Sequence, residues 1–298
     1  MNHFESCASE CLDVIVRFHD LARIFELRRA IFALVCQTYR PVSITLVTQR
    51  FSDADLACLK DDLSAVLDID KTVSVAYANY AEPEPRDARA CLLNLGIAKA
   101  TGRYLAFLDH DDTIFSEAYA NLIYELSGAN CAIAFGGIAM KDIDVFGDAL
   151  LVNKRRTFKA GNLIDLFYDN FCPIHSFVID RQMVAKSDLR FDESLHMLED
   201  YDFLLRLCST YASSFRLVHD TVGDYYFKND ASNTLPGEIV MGSESAAEFN
   251  AIGSEIAERK RRYQLSEVVQ RQLGVFSAAR PLTIAKAIDQ LGDSELSS

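Results

Sequence analysis

The sequence has no tryptophan, no Cys-x-x-Cys pair, no long apolar run and no excess of positive charge. Each absence narrows the class of protein. No stretch reaches the roughly 18 apolar residues that a membrane-spanning helix needs, so no span is expected. The N-terminus carries Glu5 and Glu10 and lacks an apolar signal core, so no secretory signal is expected. A formal charge of −13 argues against a general nucleic-acid binder, which would present a basic face. It does not count against a small anionic substrate, because a bound metal can supply the local positive charge. The 8 cysteines are scattered, several within apolar runs, where a reduced thiol acts as a small hydrophobe. His3, Cys7 and Cys11 are zinc-ligand types without a clear fourth partner, so no zinc centre is expected. A reducing, cytoplasmic compartment is the simplest expectation. Internal repeats and low-complexity segments are also missing.

What is present is a chain 50% hydrophobic, enough for a substantial core, organised around one stretch. Tyr104 to Thr113 reads Tyr-Leu-Ala-Phe-Leu-Asp-His-Asp-Asp-Thr. The apolar part predicts a short buried strand. Asp109, Asp111 and Asp112 then crowd its end. Carboxylates this close repel, and a hard divalent cation with oxygen ligands relieves the repulsion. Ligands of open α/β sheets bind outside the carboxyl ends of strands. The competing reading is a polar loop in which Asp112 or Thr113 caps a helix starting near Ser116.

The rest of the chain supplies context. Leu12–Val16, Ile44–Val47 and Val73–Ala76 read as strands, each followed by a helical pattern. Ser52 is a helix cap, Glu82-Pro-Glu-Pro85 a stiff turn, and Thr101-Gly102 closes the helix Arg86–Lys99. Such alternation predicts a mostly parallel central sheet flanked by helices, an α/β fold. Helix Ser116–Leu126 and strand Cys131–Phe135 follow. An antiparallel excursion over Lys141–Arg156 then turns at Gly147. Asn162 caps a short helix, and Ser176–Ile179, Phe215–Val218 and Tyr225–Phe227 are further strands. Glu199 and Asp200 open an amphipathic helix. From about Leu235 the pattern is helical throughout, with helices over Ser245–Tyr263, Ser266–Leu273 and Pro281–Leu291. Residues 1–234 are thus expected as one domain and 235–298 as a C-terminal helical extension. Arg259-Lys-Arg-Arg262 is expected on a solvated face, with membrane contact at most peripheral.

Taken together, these parts resemble family 2 glycosyltransferases of the GT-A fold, over roughly Asp13 to Asn233. The carriers are the first strand and its loop, the Asn94-Leu-Gly96 helix, Asp109-His-Asp111, and Glu199-Asp200-Tyr-Asp-Phe-Leu-Leu-Arg206. The resemblance implies sugar transfer, with inversion, from a nucleoside diphosphate sugar to an acceptor hydroxyl in glycan or polysaccharide biosynthesis. UDP-sugars are the first candidates for the donor. Asp109 would face the ribose, and Asp111, with Asp109, would hold Mn²⁺ or Mg²⁺ against the diphosphate. The cation would act as a Lewis acid on the leaving group, and Asp200 as general base on the acceptor. Glu199, beside it on the same helix start, would point elsewhere and either support the site's residues or bind the acceptor. Phe18 and Asp20 stand where the family has a Pro-Thr-Tyr-Asn loop, and Gln49 where an Asp commonly holds the base. Gln49 can donate and accept, which leaves the base preference open. Arg89 is a diphosphate candidate or an exposed helix arginine, and His175 faces the acceptor or the core. Asn229, Asp230 and His219 are equal candidates for a third metal ligand. The Gln-x-x-Arg-Trp signature of processive members is missing, which fits a single-addition enzyme. Two rival readings remain. One is a haloacid-dehalogenase-like phosphatase, from Asp109-x-Asp111-x-Thr113. The other is a non-catalytic sugar-nucleotide or glycan-binding module on the same fold.

Overall fold

A computed structural model describes residues 10–158, 161–228, 244–276 and 281–295. The chain starts with three strand–helix units. Strand β1 (Leu12–Phe18) leads through a 3₁₀ turn (Leu21–Arg23) into α1 (Ile24–Val35). β2 (Val42–Gln49) is followed by α2 (Asp53–Leu67), and β3 (Ser74–Tyr80) by α3 (Arg89–Lys99). Helix α2 opens on a reciprocal capping box between Ser52 and Asp55, as the sequence indicates. The acidic strand is β4 (Tyr104–Asp109). These four strands form the parallel half of one sheet, in the order β3-β2-β1-β4.

The second half is mixed. It contains β5 (Thr113–Ile114), α4 (Ala118–Ala129), β6 (Ile133–Phe146), β7 (Ala149–Thr157), α5 (Leu163–Tyr168), β8 (Phe177–Asp180), α6 (Glu199–Thr210) and β9 (Ser213–Lys228). The order continues β4-β8-β6-β9-β5, with β7 paired on β6 beyond a turn at Gly147, whose φ is +61°. β8 runs antiparallel to both β4 and β6, whereas β9 runs parallel to β6. The two late strands expected around Phe215 and Tyr225 are one strand, β9. Register shifts opposite Ala134–Ile138 break its pattern.

Two apolar clusters cover the faces of the sheet. Phe107 of β4 meets the rings of Phe177, Phe191 and Phe203 at centroid distances of 6.0, 5.3 and 6.0 Å. Aromatic pairs of this kind add about 0.5–1.5 kcal/mol beyond area burial. They clamp the start of α6 behind the acidic strand. Asn94 does the same from α3. Its amide accepts from the Phe191 N–H at 2.8 Å and donates to the Phe191 carbonyl at 3.0 Å. Gly96 lets α3 lie on β1, since a Cβ there would come 2.4 Å from Ile15 Cγ2. Gly102 is also required by a close approach and is not the expected left-handed helix cap. Its Cβ would meet the Cys11 carbonyl oxygen at 2.3 Å.

The C-terminal helices are α7 (Glu244–Arg262), α8 (Glu267–Gln272) and α9 (Ile284–Glu295). Helix α9 begins three residues beyond Pro281, which was expected in its first turn. Ile252, Ile256, Val269, Ile284 and Ala287 join the larger apolar cluster. The expected boundary at 234–235 lies outside the described residues, as do His3 and Cys7. The basic cluster is only partly solvated. Arg259 is bonded to Asp192 at 2.7 Å and lies 3.1 Å from the fully buried Asp202, tying α7 to α6. Arg261 and Arg262 are exposed and pair with Glu258. Among the described residues, no helix is long and apolar enough to cross a membrane.

Candidate active site

β1, β2 and β4 end together, and a cleft of about 460 Å³ opens there. Its lining includes Arg17, Arg23, Gln49, Arg89, Asp109 and Asp111. Parallel pairing sets Arg17 beside Asp109 in register. The Arg17 fork binds Asp109 through both carboxylate oxygens, Nε to Oδ1 at 2.6 Å and a terminal nitrogen to Oδ2 at 3.0 Å. Its other nitrogen donates to Glu199 Oε1 at 2.9 Å. Burial opposes the guanidinium charge, but Asp109 and Glu199 outweigh it and raise the Arg17 pKa. Burial likewise pushes Asp109 up, and Arg17 more than compensates, holding its pKa at about 2.

After Asp109 the chain turns, with Asp112 N–H donating to the Asp109 carbonyl at 3.1 Å. Neither Asp112 nor Thr113 caps the next helix. Asp112 is buried and accepts from Tyr226 N–H at 2.9 Å, and Thr113 pairs with β9. Burial, with the charges of Asp111 and Asp109, pushes Asp112 well above the usual carboxylate range. The turn is therefore strapped to β9, a contact that sequence spacing does not reveal.

Asp111 meets two residues absent from the sequence reading. Glu26 and His110 bring ligand atoms that lie, with that of Asp111, all within 4.8 Å of one another. Burial lowers the His110 pKa to about 4, so its imidazole is neutral, the form that binds metals. Its Nε2 is buried without a hydrogen-bond partner, 3.8 Å from Glu26 Oε2. An orphaned neutral nitrogen facing two carboxylate residues fits a divalent cation. Asp109, expected as a ligand alongside Asp111, is not in this cluster, because Arg17 holds both of its oxygens. Glu26 Oε2 and Asp111 Oδ2 also accept from Arg23 and from the buried Lys228.

Behind Arg17 stands the start of α6. Leu198 precedes it at φ +58°, in the left-handed region, which costs a branched side chain about 1–3 kcal/mol. The strained turn sends the three acids of the first helical turn to different tasks. Glu199 is buried on Arg17, with Arg89 Nε 4.0 Å away. Asp202 is fully buried and accepts from Tyr263 at 2.5 Å. Asp200 is half-buried and accepts from Tyr201 N–H at 2.7 Å. Burial and the neighbouring Glu199 raise its pKa to about 7.

The remaining expected residues are dispersed. Gln49 lines the cleft and donates to the Arg86 carbonyl at 2.8 Å. Arg89 lines it while its guanidinium grips Asp87 at 2.7 Å. Phe18 is wholly buried against Phe51 and His110. Asp20 is exposed and caps the 3₁₀ turn through Ala22 N–H. His175 is fully buried, 3.4 Å from Asp112, so the core alternative describes it. None of these three presents a side chain to the cleft. His219 lines a separate cavity under β6, and Asn229 and Asp230 lie outside the described residues.

The fold is that of the GT-A glycosyltransferases. S. aureus TarS in complex with UDP superposes with a TM-score of 0.52 at 14% identity, covering 72% of this chain and 60% of that one. A Pyrobaculum calidifontis mannosyltransferase in complex with GDP-Man and Mn²⁺ gives 0.50 at 13% identity, covering 96% and 80%. Residues 84–187 match the model of glycosyl transferase family 2. Among curated relatives, a succinoglycan biosynthesis protein of Rhizobium meliloti is 29% identical over 37% of this chain and 34% of its own. The chain spans 34% to 65% of the length of the curated relatives it matches. The acidic strand is the fourth of this fold, which sets aside the phosphatase reading of Asp109-x-Asp111-x-Thr113.

Proposed function

We propose that this protein transfers a sugar, with inversion, from a nucleoside diphosphate sugar to the hydroxyl of a glycan or related acceptor. The observation that carries the reading is the cleft beyond β1, β2 and β4. There Arg23 bonds to Glu26 and Asp111 of an Asp111–Glu26–His110 cluster suited to a divalent cation, and Arg17 and Arg89 line the same cleft. TarS and the mannosyltransferase are named with UDP and with GDP-Man and Mn²⁺, which supports a nucleotide-linked donor. The mixed oxygen and nitrogen ligand set favours Mn²⁺ over Mg²⁺. When bound, the cation supplies Lewis-acid stabilisation to the departing diphosphate.

The chain's own residues do the rest. Arg23 and Arg89 carry positive charge to the cleft wall, where phosphate oxygens would sit. Arg17 occupies Asp109 and Glu199, so the start of α6 keeps a fixed distance from the acidic strand. Asp200 is the base. At a pKa of about 7 it is ionised in half the molecules at neutral pH, near the optimum for proton abstraction. Glu199 positions Asp200 and raises its basicity, and does not itself take the proton. In this reading residues 1–234 form the transferase domain and 235–298 an extension anchored on α6.

The test is a thermal-shift panel of UDP-, GDP- and other nucleotide sugars with and without Mn²⁺, followed by product analysis on the stabilising donor. A bound donor stabilises by RT ln(1 + [L]/Kd), about 2.7 kcal/mol at a hundredfold excess over Kd. Stabilisation followed by slow metal-dependent donor hydrolysis supports the enzyme. Tight binding with no turnover under any condition supports the non-catalytic module instead.

A further inference from the structure

The space between Glu26 and Asp111 is already occupied by a positive charge of the protein's own. Lys228, the last residue of β9, is 3% exposed, and its Nζ lies 2.8 Å from Glu26 Oε2 and 3.1 Å from Asp111 Oδ2. Arg23 reaches the same two oxygens at 2.8 and 2.7 Å. The four groups close a ring in which each carboxylate oxygen serves both cations. His110 Nε2 faces this ring with no hydrogen-bond partner, as the third ligand type. The oxygens that a divalent ion would use are the oxygens that Lys228 holds.

We propose that Lys228 is a resident counter-ion for the divalent-cation site, and that metal and Lys228 compete for Glu26 and Asp111. The inference rests on the metal-site reading given above and deepens it. Without metal, the ammonium screens two carboxylates that would otherwise repel each other in a half-buried setting. When metal arrives, those oxygens must turn from the ammonium to the ion, so the charge of Lys228 lowers the affinity of the site. The released ammonium is then beside the donor's diphosphate. An ammonium exchanges partners readily here, because it is a compact point charge on a flexible stem.

The experiment is Mn²⁺ titration of the full chain without nucleotide, followed by loss of the free-ion EPR signal. It compares wild type, Lys228→Met, Lys228→Gln and Lys228→Arg, with Asp111→Asn added to each. Removing the charge is expected to tighten Mn²⁺ binding at least tenfold, Lys228→Arg to leave it within about threefold, and Asp111→Asn to abolish the gain. The glutamine variant keeps the test open if methionine at this buried position prevents folding. Equal Mn²⁺ affinity in wild type and the neutral variants, with Asp111→Asn still damaging, overturns the competition and leaves the metal site standing. No Asp111-dependent Mn²⁺ binding in any variant overturns the metal-site reading, and the competition falls with it.

Discussion

Arg17→Met removes a charged group that bonds to both the acidic strand and the start of α6. Methionine keeps most of the stem, which packs, and deletes the charged fork. Two consequences have workable magnitudes. The first is stability. Asp109 is held at about 2 chiefly by Arg17, against an ordinary value of 3.8. At 1.36 kcal/mol per unit, that difference corresponds to about 2 kcal/mol of stability at neutral pH. Because the folded-state pKa is depressed, this contribution is present above about pH 4 and is lost as pH falls towards 2. Glu199 also loses its partner, and removing one side of a buried pair typically costs 3–5 kcal/mol. Relief of the desolvation of Arg17 offsets part of this, so a net loss of about 2–4 kcal/mol is expected at pH 7. Urea unfolding of both proteins at pH 7 and pH 3 measures it, and the gap should narrow at the lower pH. The second consequence concerns the base. The charge of Arg17 lowers the Asp200 pKa, so its removal moves the alkaline rise of the rate to higher pH. A variant within 0.5 kcal/mol of wild type at pH 7, with an unmoved rate profile, would refute the bridge.

Three further outcomes are expected. Asp200→Asn keeps the shape of the side chain and removes its basicity. It should lower kcat by about 10²–10⁴ with donor affinity nearly unchanged, while Glu199→Gln costs less; single-turnover transfer assays decide, and a reversed order refutes the assignment. In wild type, log kcat/KM should rise with pH and level off above about 7, since the raised pKa keeps Asp200 protonated at lower pH. A rise centred near pH 4 would show that the base is an ordinary exposed carboxylate or another group. Asp111→Ala should abolish metal-dependent UDP binding by calorimetry while leaving the thermal melt within a few degrees of wild type, because Asp111 lines the cleft.

Much of the fold was legible because its signals are local. Apolar runs, the Ser52 and Asn162 capping boxes and the Gly147 turn declare themselves within a few residues. The parallel half of the sheet follows from strand–helix alternation, and the acidic end of β4 from repulsion among Asp109, Asp111 and Asp112. Asp111 was singled out in this way, whereas Glu199 and Asp200 were singled out by the family resemblance. By contrast, β5 is two residues long and has no pattern of its own, so its pairing with β9 could not be read. The same holds for the fate of Asp112, which a local view offered, with Thr113, as one of two candidate caps. Arg17 carries a weak signal in retrospect: it is a charged residue at the end of an otherwise buried strand.

The sequence by itself determined which elements form and that carboxylates gather where β4 ends, since propensity, capping and like-charge repulsion act over short separations. Only the tertiary structure decided how those charges are shared. Arg17 lies 92 residues from Asp109 and 182 from Glu199, and Lys228 lies 202 from Glu26. No periodicity links positions that far apart, because their meeting depends on sheet order and register. That closure gave Asp109 to Arg17, gave Asp111 to Glu26, His110 and Lys228, and turned Asp202 into the anchor of the C-terminal helices.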